Sequence, residues 1–317
     1  MSIECLSVGI LVADHGCAPI PRVPAAGQLI LADNLSLSIG GCASNAAVDL
    51  KRVGVQVGIV GCVGQDVLGR FVLDSLRAEH VDTDSIRELP GVGTSATLVV
   101  NVAGEDRRFI HTIGANARLT AADIPLDRVR TAKILYVGGY LLMPGLEAAG
   151  LAEVFRQARA WGVTTILDIV LPGPGDHWSK MAPVLAETDI FLPNNDEAAA
   201  ITGSPDPRQQ AEKFLSAGVG AAVITCGDKG TVYASKKERL HAGVYPTRYV
   251  GGTGAGDAFD AGYIAGLLAG ADPRGCLAWA SALGASCVRS ISATESVFTR
   301  TEAQDFMKQH PLVVETW

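Results

Sequence analysis

Between residues 134 and 225 the chain alternates short apolar runs with stretches of helical spacing. The runs at 134–137, 164–169, 190–192 and 221–225 are rich in Ile, Val and Leu and too short for helices. Helical patterns lie between them, at 146–161 and 207–217. Buried strands joined through helices pair in parallel, which predicts an α/β domain with helices on both faces of a mostly parallel central sheet. The 317 residues, 48% hydrophobic and 19% charged, supply a large core, and no internal repeat or low-complexity linker divides the chain.

A net charge of −7 and a pI near 5.4 argue against a basic face for nucleic acid or an anionic membrane and favour small metabolites as partners. Seven scattered cysteines without a C-x-x-C pair indicate neither a disulfide framework nor a zinc site. No apolar run approaches the ~20 residues of a membrane span, and the first residues carry no basic leader, so a cytoplasmic protein is expected.

The stretch with most chemistry is V-G-G-T-G-A-G-D-A-F-D-A-G at 250–262. Four glycines followed at once by an apolar helical run describe a loop feeding a helix N-terminus, where free amides and the helix dipole bind phosphate. Asp257 in the first turn brings a carboxylate beside that anion, able to take the proton of an attacking hydroxyl. For an isolated Gly-Asp pair, a helix-start aspartate is the commoner meaning. The stretch is not a dinucleotide fingerprint, which would follow an early strand, and the chain has no G-x-x-x-x-G-K-[ST] loop.

Residues 6–12 read as a buried strand ending near Asp14, on the side where open α/β sheets bind ligands; a turn aspartate explains Asp14 equally well. Residues 29–39 alternate like a half-buried strand, and 97–102 with 107–113 flank a glycine-containing hairpin loop at 103–106. These patches suggest a small separate sheet. Between them, Gly40 and Gly41 precede a helix carrying Asn45, which offers a ligand both a donor and an acceptor or simply caps the helix. Asn194 and Glu197 have the spacing of a capping box, and Thr225 to Gly230 reads as T-x-G-x-x-G or a tight turn.

T-G-A-G-D-A-F-D-A-G at 253–262 closely resembles the C-terminal signature of the ribokinase-like (PfkB) family of carbohydrate and nucleoside kinases, and G-G-x-x-x-N-x-A at 40–47 resembles its N-terminal one. The resemblance runs from Asp14 to about Ser296, with five segments in order. It implies a ribokinase-like three-layer α/β/α domain over 1–317 with a small β-sheet lid inserted at about 15–39 and 95–114. It also implies an ATP- and Mg²⁺-dependent kinase acting on a hydroxyl of a sugar or sugar-like alcohol. Asp257 would be the base, and the amides of Gly254, Ala255 and Gly256 an anion hole. Asp14, Gly40, Gly41 and Asn45 would hold the acceptor, with Arg108 and Asn116 in the same set. Glu197, in the motif opened by Asn194, would organise water around Mg²⁺, and Thr225, Gly227 and Gly230 would bind ATP, with adenine near the helical stretch 274–287.

The lid would cover the acceptor and form a homodimer contact. A nucleoside kinase and a non-catalytic sugar-binding regulator are the rivals. Three departures stand out: Gln65 replaces an acidic residue, Gly251 stands where the family usually has Asp, and Ser292 where it often has Gly. The last two positions belong to the family's potassium site.

Overall fold

The alternating runs form a ten-stranded sheet in the computed structural model, which describes residues 3–105 and 108–317. In chain order the strands are β1 (Cys5–Gly9), β2 (Val12–Cys17), β3 (Leu35–Gly40), β4 (Val57–Gly64), β5 (Asp82–Leu89), β6 (Ala96–Val100) and β7 (Arg108–Thr112). They continue as β8 (Ile134–Gly138), β9 (Thr164–Leu167), β10 (Ile190–Phe191), β11 (Ala221–Thr225), β12 (Thr231–Ser235), β13 (Arg239–Ala242) and β14 (Val314–Thr316). The large sheet has the order β14-β13-β12-β11-β10-β9-β8-β1-β4-β5. It is parallel from β5 to β11, and β12, β13 and β14 extend it antiparallel.

Alternate residues of one strand feed two different cores. Ile134 and Tyr136 of β8 pack toward the helices Cys42–Arg52, Ala255–Leu268 and Pro273–Cys287. Leu135 and Val137 pack the other way, toward the helices Ala148–Ala160, His177–Leu185 and Pro207–Ser216. A strand buried on both faces has no polar side to show, which is why these runs are continuously apolar. The chain winds from β1 to β4 and β5 in one direction and from β8 onward in the other. Ligands bind outside the carboxyl ends of strands at such a reversal, here the ends of β1, β8 and β9.

The second sheet has the order β3-β2-β6-β7, with β2 and β6 parallel and the outer pairs antiparallel. Two boundaries differ from the sequence reading. Residues 6–12 are not one strand: the chain breaks at Ile10 and Leu11, so β1 lies in the large sheet and β2 begins the small one at Val12. Residues 29–34 are not strand, and Leu29 and Leu31 are 82% and 85% exposed, since alternation without a partner strand leaves the apolar side uncovered. In the predicted hairpin, Asp106 and Arg107 lie outside the described residues.

The pleat gives the small sheet two unlike faces. Ser38, Asp14, Thr97 and His111 form one row across the four strands, and Leu37, His15, Leu98 and Ile110 form a row on the opposite side. Leu98 and Ile110 are 46% and 68% exposed.

Candidate active site

The helix Ala255–Leu268 starts from Gly254, whose φ of +77° suits a residue without Cβ. An added Cβ would lie 2.4 Å from the Ala293 carbonyl oxygen, so the glycine also lets the loop before this helix press against the loop at 290–293. Gly256 is the opposite case, with nothing within 4 Å of the place a Cβ would take. Open space therefore borders the exposed Gly256 in the first turn of this helix, and helix N-termini are where backbone N–H groups hold an anion.

Asp257 projects from the same first turn and is half-buried. Asn45 donates from Nδ2 to Asp257 Oδ2 at 2.7 Å. Asn45 sits in the first turn of the helix Cys42–Arg52, is 3% exposed, and is fixed there because that helix packs against Ala255–Leu268. Sequence analysis assigned Asn45 to the acceptor; its amide reaches Asp257. Burial raises the pKa of Asp257, the hydrogen bonds from Asn45 and Cys42 oppose the shift, and the Asp14 charge adds to it.

Three further carboxylates gather around this one. Asp168 follows β9 and accepts the Gly139 N–H at 3.1 Å; burial, then the Glu197 and Asp257 charges, push it well above the usual range. Asp260, one turn along from Asp257, accepts the Tyr136 hydroxyl at 2.9 Å and is raised by burial and by Asp168 and Asp257. Glu197 is pushed up to about 7, chiefly by burial and by Asp257. The Cys42 thiol lies within 4.8 Å of a carboxylate oxygen of both Asp257 and Asp168 and is held protonated by burial and by their charges. Sequence analysis gave Asp168 no role and did not single out Cys42 or Asp260.

On the acceptor side, a Cβ on Gly40 would meet Asp14 Oδ2 at 2.0 Å, so this glycine leaves the room that the Asp14 carboxylate fills. Asp14 lines a cavity of about 510 Å³ with Ser36, Ser38, Asn101, Thr253 and Ala293, and burial raises its pKa. Gly41 opens the Asn45 helix and accepts the Asn45 N–H at its carbonyl. Asn116, expected beside the acceptor, is 1% exposed, accepts the Leu11 N–H at Oδ1 and donates from Nδ2 to the Leu11 carbonyl, each at 3.1 Å, so both ends of its amide are used by backbone. Arg108 is exposed on the outer strand β7 and paired with Glu105.

The remaining residues converge at the carboxyl ends of β10 and β11. Asn194 and Thr225 form a bridge between neighbouring strand extensions. The capping box is formed: Asn194 N–H donates to Glu197 Oε2 at 3.0 Å and Glu197 N–H to Asn194 Oδ1 at 2.9 Å. Gly227 opens a short turn that Gly230 closes before β12, and its exposed backbone faces solvent. Gly251 lies against the Ser290 carbonyl and Ile291, beside Ser292, so two of the sequence departures meet in space.

The pfkB family carbohydrate kinase model matches residues 3–300. The chain belongs to this family. A ribokinase of Haemophilus influenzae is 26% identical over 307 residues, covering 95% of this chain and 97% of the relative. A 2-dehydro-3-deoxygluconokinase of Bacillus subtilis is 28% identical over 293 residues, covering 89% and 90%. The structure of Arabidopsis thaliana ribokinase complexed with ribose and ATP superposes with a TM-score of 0.84 at 25% identity, covering 97% of this chain and 99% of that one. The protein is thus a sugar kinase with the ribokinase-like fold, an ATP-dependent phosphotransferase. No helix among the described residues is long and apolar enough to cross a membrane.

Proposed function

We propose that this pfkB-family kinase transfers the γ-phosphate of ATP to a hydroxyl of a sugar or sugar-like alcohol, with Asp257 as the base. The observation that carries the assignment is the half-buried Asp257 carboxylate, held by Asn45 at 2.7 Å and set beside the open Gly256 amide. Asp14 accepts hydrogen bonds from other acceptor hydroxyls and, with Gly40 and Gly41, fixes which one faces Asp257. That hydroxyl gives its proton to Asp257 as its oxygen attacks the phosphorus, and ADP leaves. The amides of Gly254, Ala255 and Gly256 hold the charge that builds on the transferred oxygens. Thr225, Gly227 and Gly230 border the nucleotide phosphates.

The donor set near Glu197 fits Mg²⁺, because its hard carboxylate oxygens meet no described Lys or Arg. When bound, Mg²⁺ supplies positive charge to the β and γ phosphates. The small sheet acts as a lid whose Asp14 face covers the acceptor and excludes water. A nucleoside acceptor would need an aromatic platform, and Phe109 is the one aromatic residue on the lid strands. A regulator without turnover has no use for a base at position 257. ADP release with MgATP and a panel of pentoses, hexoses, ketoses and nucleosides tests the reading. Release above the ATP-only rate with sugars alone supports it; release with nucleosides alone, or with none, overturns it.

The outer lid row of Leu37, Leu98 and Ile110 fits a second copy of the chain, forming a homodimer. Light scattering at micromolar concentration is expected to give twice the 33.0 kDa chain mass, and a mass of one chain rejects this contact. Seven cysteines, none in a C-x-x-C pair, accord with the reducing cytoplasm as its location.

Activity is expected to need Mg²⁺ and to change little among sodium, potassium and a bulky organic cation. Gly251 supplies no carboxylate beside Ser292, and neutral oxygens alone compete poorly with water for a hard cation. Initial rates at constant ionic strength check this. Activation by potassium of about tenfold or more, ~1.4 kcal/mol, would mean that backbone oxygens near Gly251 suffice.

A further inference from the structure

We propose that Cys42, Asp168 and Asp257 form a binding site for a thiophilic divalent cation, with Zn²⁺ the fitting ion, and that its occupation stops turnover by taking the base. One ligand atom from each of these residues lies within 4.8 Å of the other two. Zinc bonds of about 2.3 Å to sulfur and about 2.0–2.2 Å to oxygen put tetrahedral ligands roughly 3.4–3.6 Å apart, so small side-chain rotations close the set. Three protein ligands leave the fourth position for water.

Two independent features point to a cation there. Asp168 and Asp257 bring two carboxylates to one thiol, and no described Lys or Arg pairs with either of them. Asn45 is 3% exposed and its Oδ1 has no hydrogen-bond partner, although the other end of the same amide touches Asp257. That oxygen is available to a metal-bound water.

Sulfur decides which ion fits. Mg²⁺ demands hard oxygen ligands in octahedral geometry, whereas a thiolate favours Zn²⁺ and its thiophilic neighbours. The Cys42 sulfur sets this group apart from Glu197, which offers oxygen alone. Binding breaks the Cys42 S–H bond, forms a sulfur–zinc bond and releases the thiol proton to solvent. No oxidant or reductant takes part.

Metal binding can be tested without turnover; the inhibition rests on the kinase reading. Zn²⁺ is titrated against a competing chelator into the reduced full chain without nucleotide. One zinc per chain and release of protons into weak buffer are expected. Cys42→Ser should weaken binding by at least the ~10–100-fold seen when merely a supporting residue of a zinc site is lost. Cys17→Ser, in the small sheet, should leave it unaltered. Co²⁺ bound to the parent should show a sulfur-to-metal charge-transfer band that Cys42→Ser lacks.

Undiminished zinc affinity in Cys42→Ser, or a parent cobalt spectrum without the sulfur band, overturns the site. Should Cys42→Ser fail to fold, the parent cobalt spectrum and zinc binding by Asp168→Asn decide. With ATP and an accepted sugar, zinc inhibition reversed by chelator and weaker in Cys42→Ser is expected. Zinc binding without inhibition would overturn the claim on the base and leave the metal site standing.

Discussion

Asp257→Asn is expected to lower kcat by about 10²–10⁴ while the fold and nucleotide affinity persist. The asparagine can present its carbonyl oxygen to Asn45 Nδ2 and keep the contact now made at 2.7 Å, so the helix start is not disturbed. It cannot accept the acceptor's proton. Thermal melting and nucleotide binding unchanged beside a collapsed kcat would separate chemistry from folding. A kcat within about threefold of the parent would sink the assignment. The parent's pH profile carries the same information. Burial raises Asp257, and the base works only when ionised, so activity should fall with decreasing pH at a midpoint above the ordinary carboxylate range. A lower midpoint would put the proton acceptor elsewhere.

Gly254→Ala should be nearly as damaging, for a reason of shape. At φ +77° a Cβ costs about 1–2 kcal/mol in backbone strain. Here it would also meet the Ala293 carbonyl oxygen at 2.4 Å and Cα at 2.7 Å, neither of which is the end of a flexible side chain. The loop must move, and the amides that follow move with it. Loss of one oxyanion donor typically costs about 10²–10³ in kcat, and a fall of that order with a lower melting temperature is expected. Gly256→Ala is the matched comparison, since a Cβ there meets nothing within 4 Å. It should keep or raise stability and affect only steps that need the space beside its amide. Equal stability losses in the two variants would contradict the placement of the loop.

Much of this was readable in the chain because it is local. Strands buried on both faces must be continuously apolar, so β8, β9, β10 and β11 announce themselves. The glycine loop and Asp257 declare a helix start with an anion site in one stretch. What escaped depends on distant partners. The break at Ile10 and Leu11 lies inside the mostly apolar run L-S-V-G-I-L-V, where Gly9, at φ +154°, is the one local mark of the change of sheet and is easily read as part of the strand. Asn116 looks like any exposed amide until its two bonds to Leu11 are seen. The gathering of Cys42, Asp168 and Asp260 around Asp257 joins three separate parts of the chain. One hint was present: Asp260 is three residues after Asp257, nearly the same side of a helix, and a second aspartate there must be buried with it.

The amide of Asn116 also sets the mechanics of the small sheet. The chain enters that sheet just after Leu11 and leaves it at Thr112, and Asn116 ties the entry to the exit at their common root. Ser95 adds two stitches, accepting the Ala13 N–H at 3.0 Å and donating its hydroxyl to the Thr112 carbonyl at 2.8 Å. In the lid role proposed above, a sheet sewn together at its root would turn as a lever about that root. Asp14, three residues beyond Leu11, lies close to that root and Gly104 at the far end of the hairpin, so a rigid turn of the sheet would move Asp14 less than the tip. Under the proposed function, a sugar hydroxyl would rest on Asp14 before closure, and the distant tip would then shut water out around a substrate already in place.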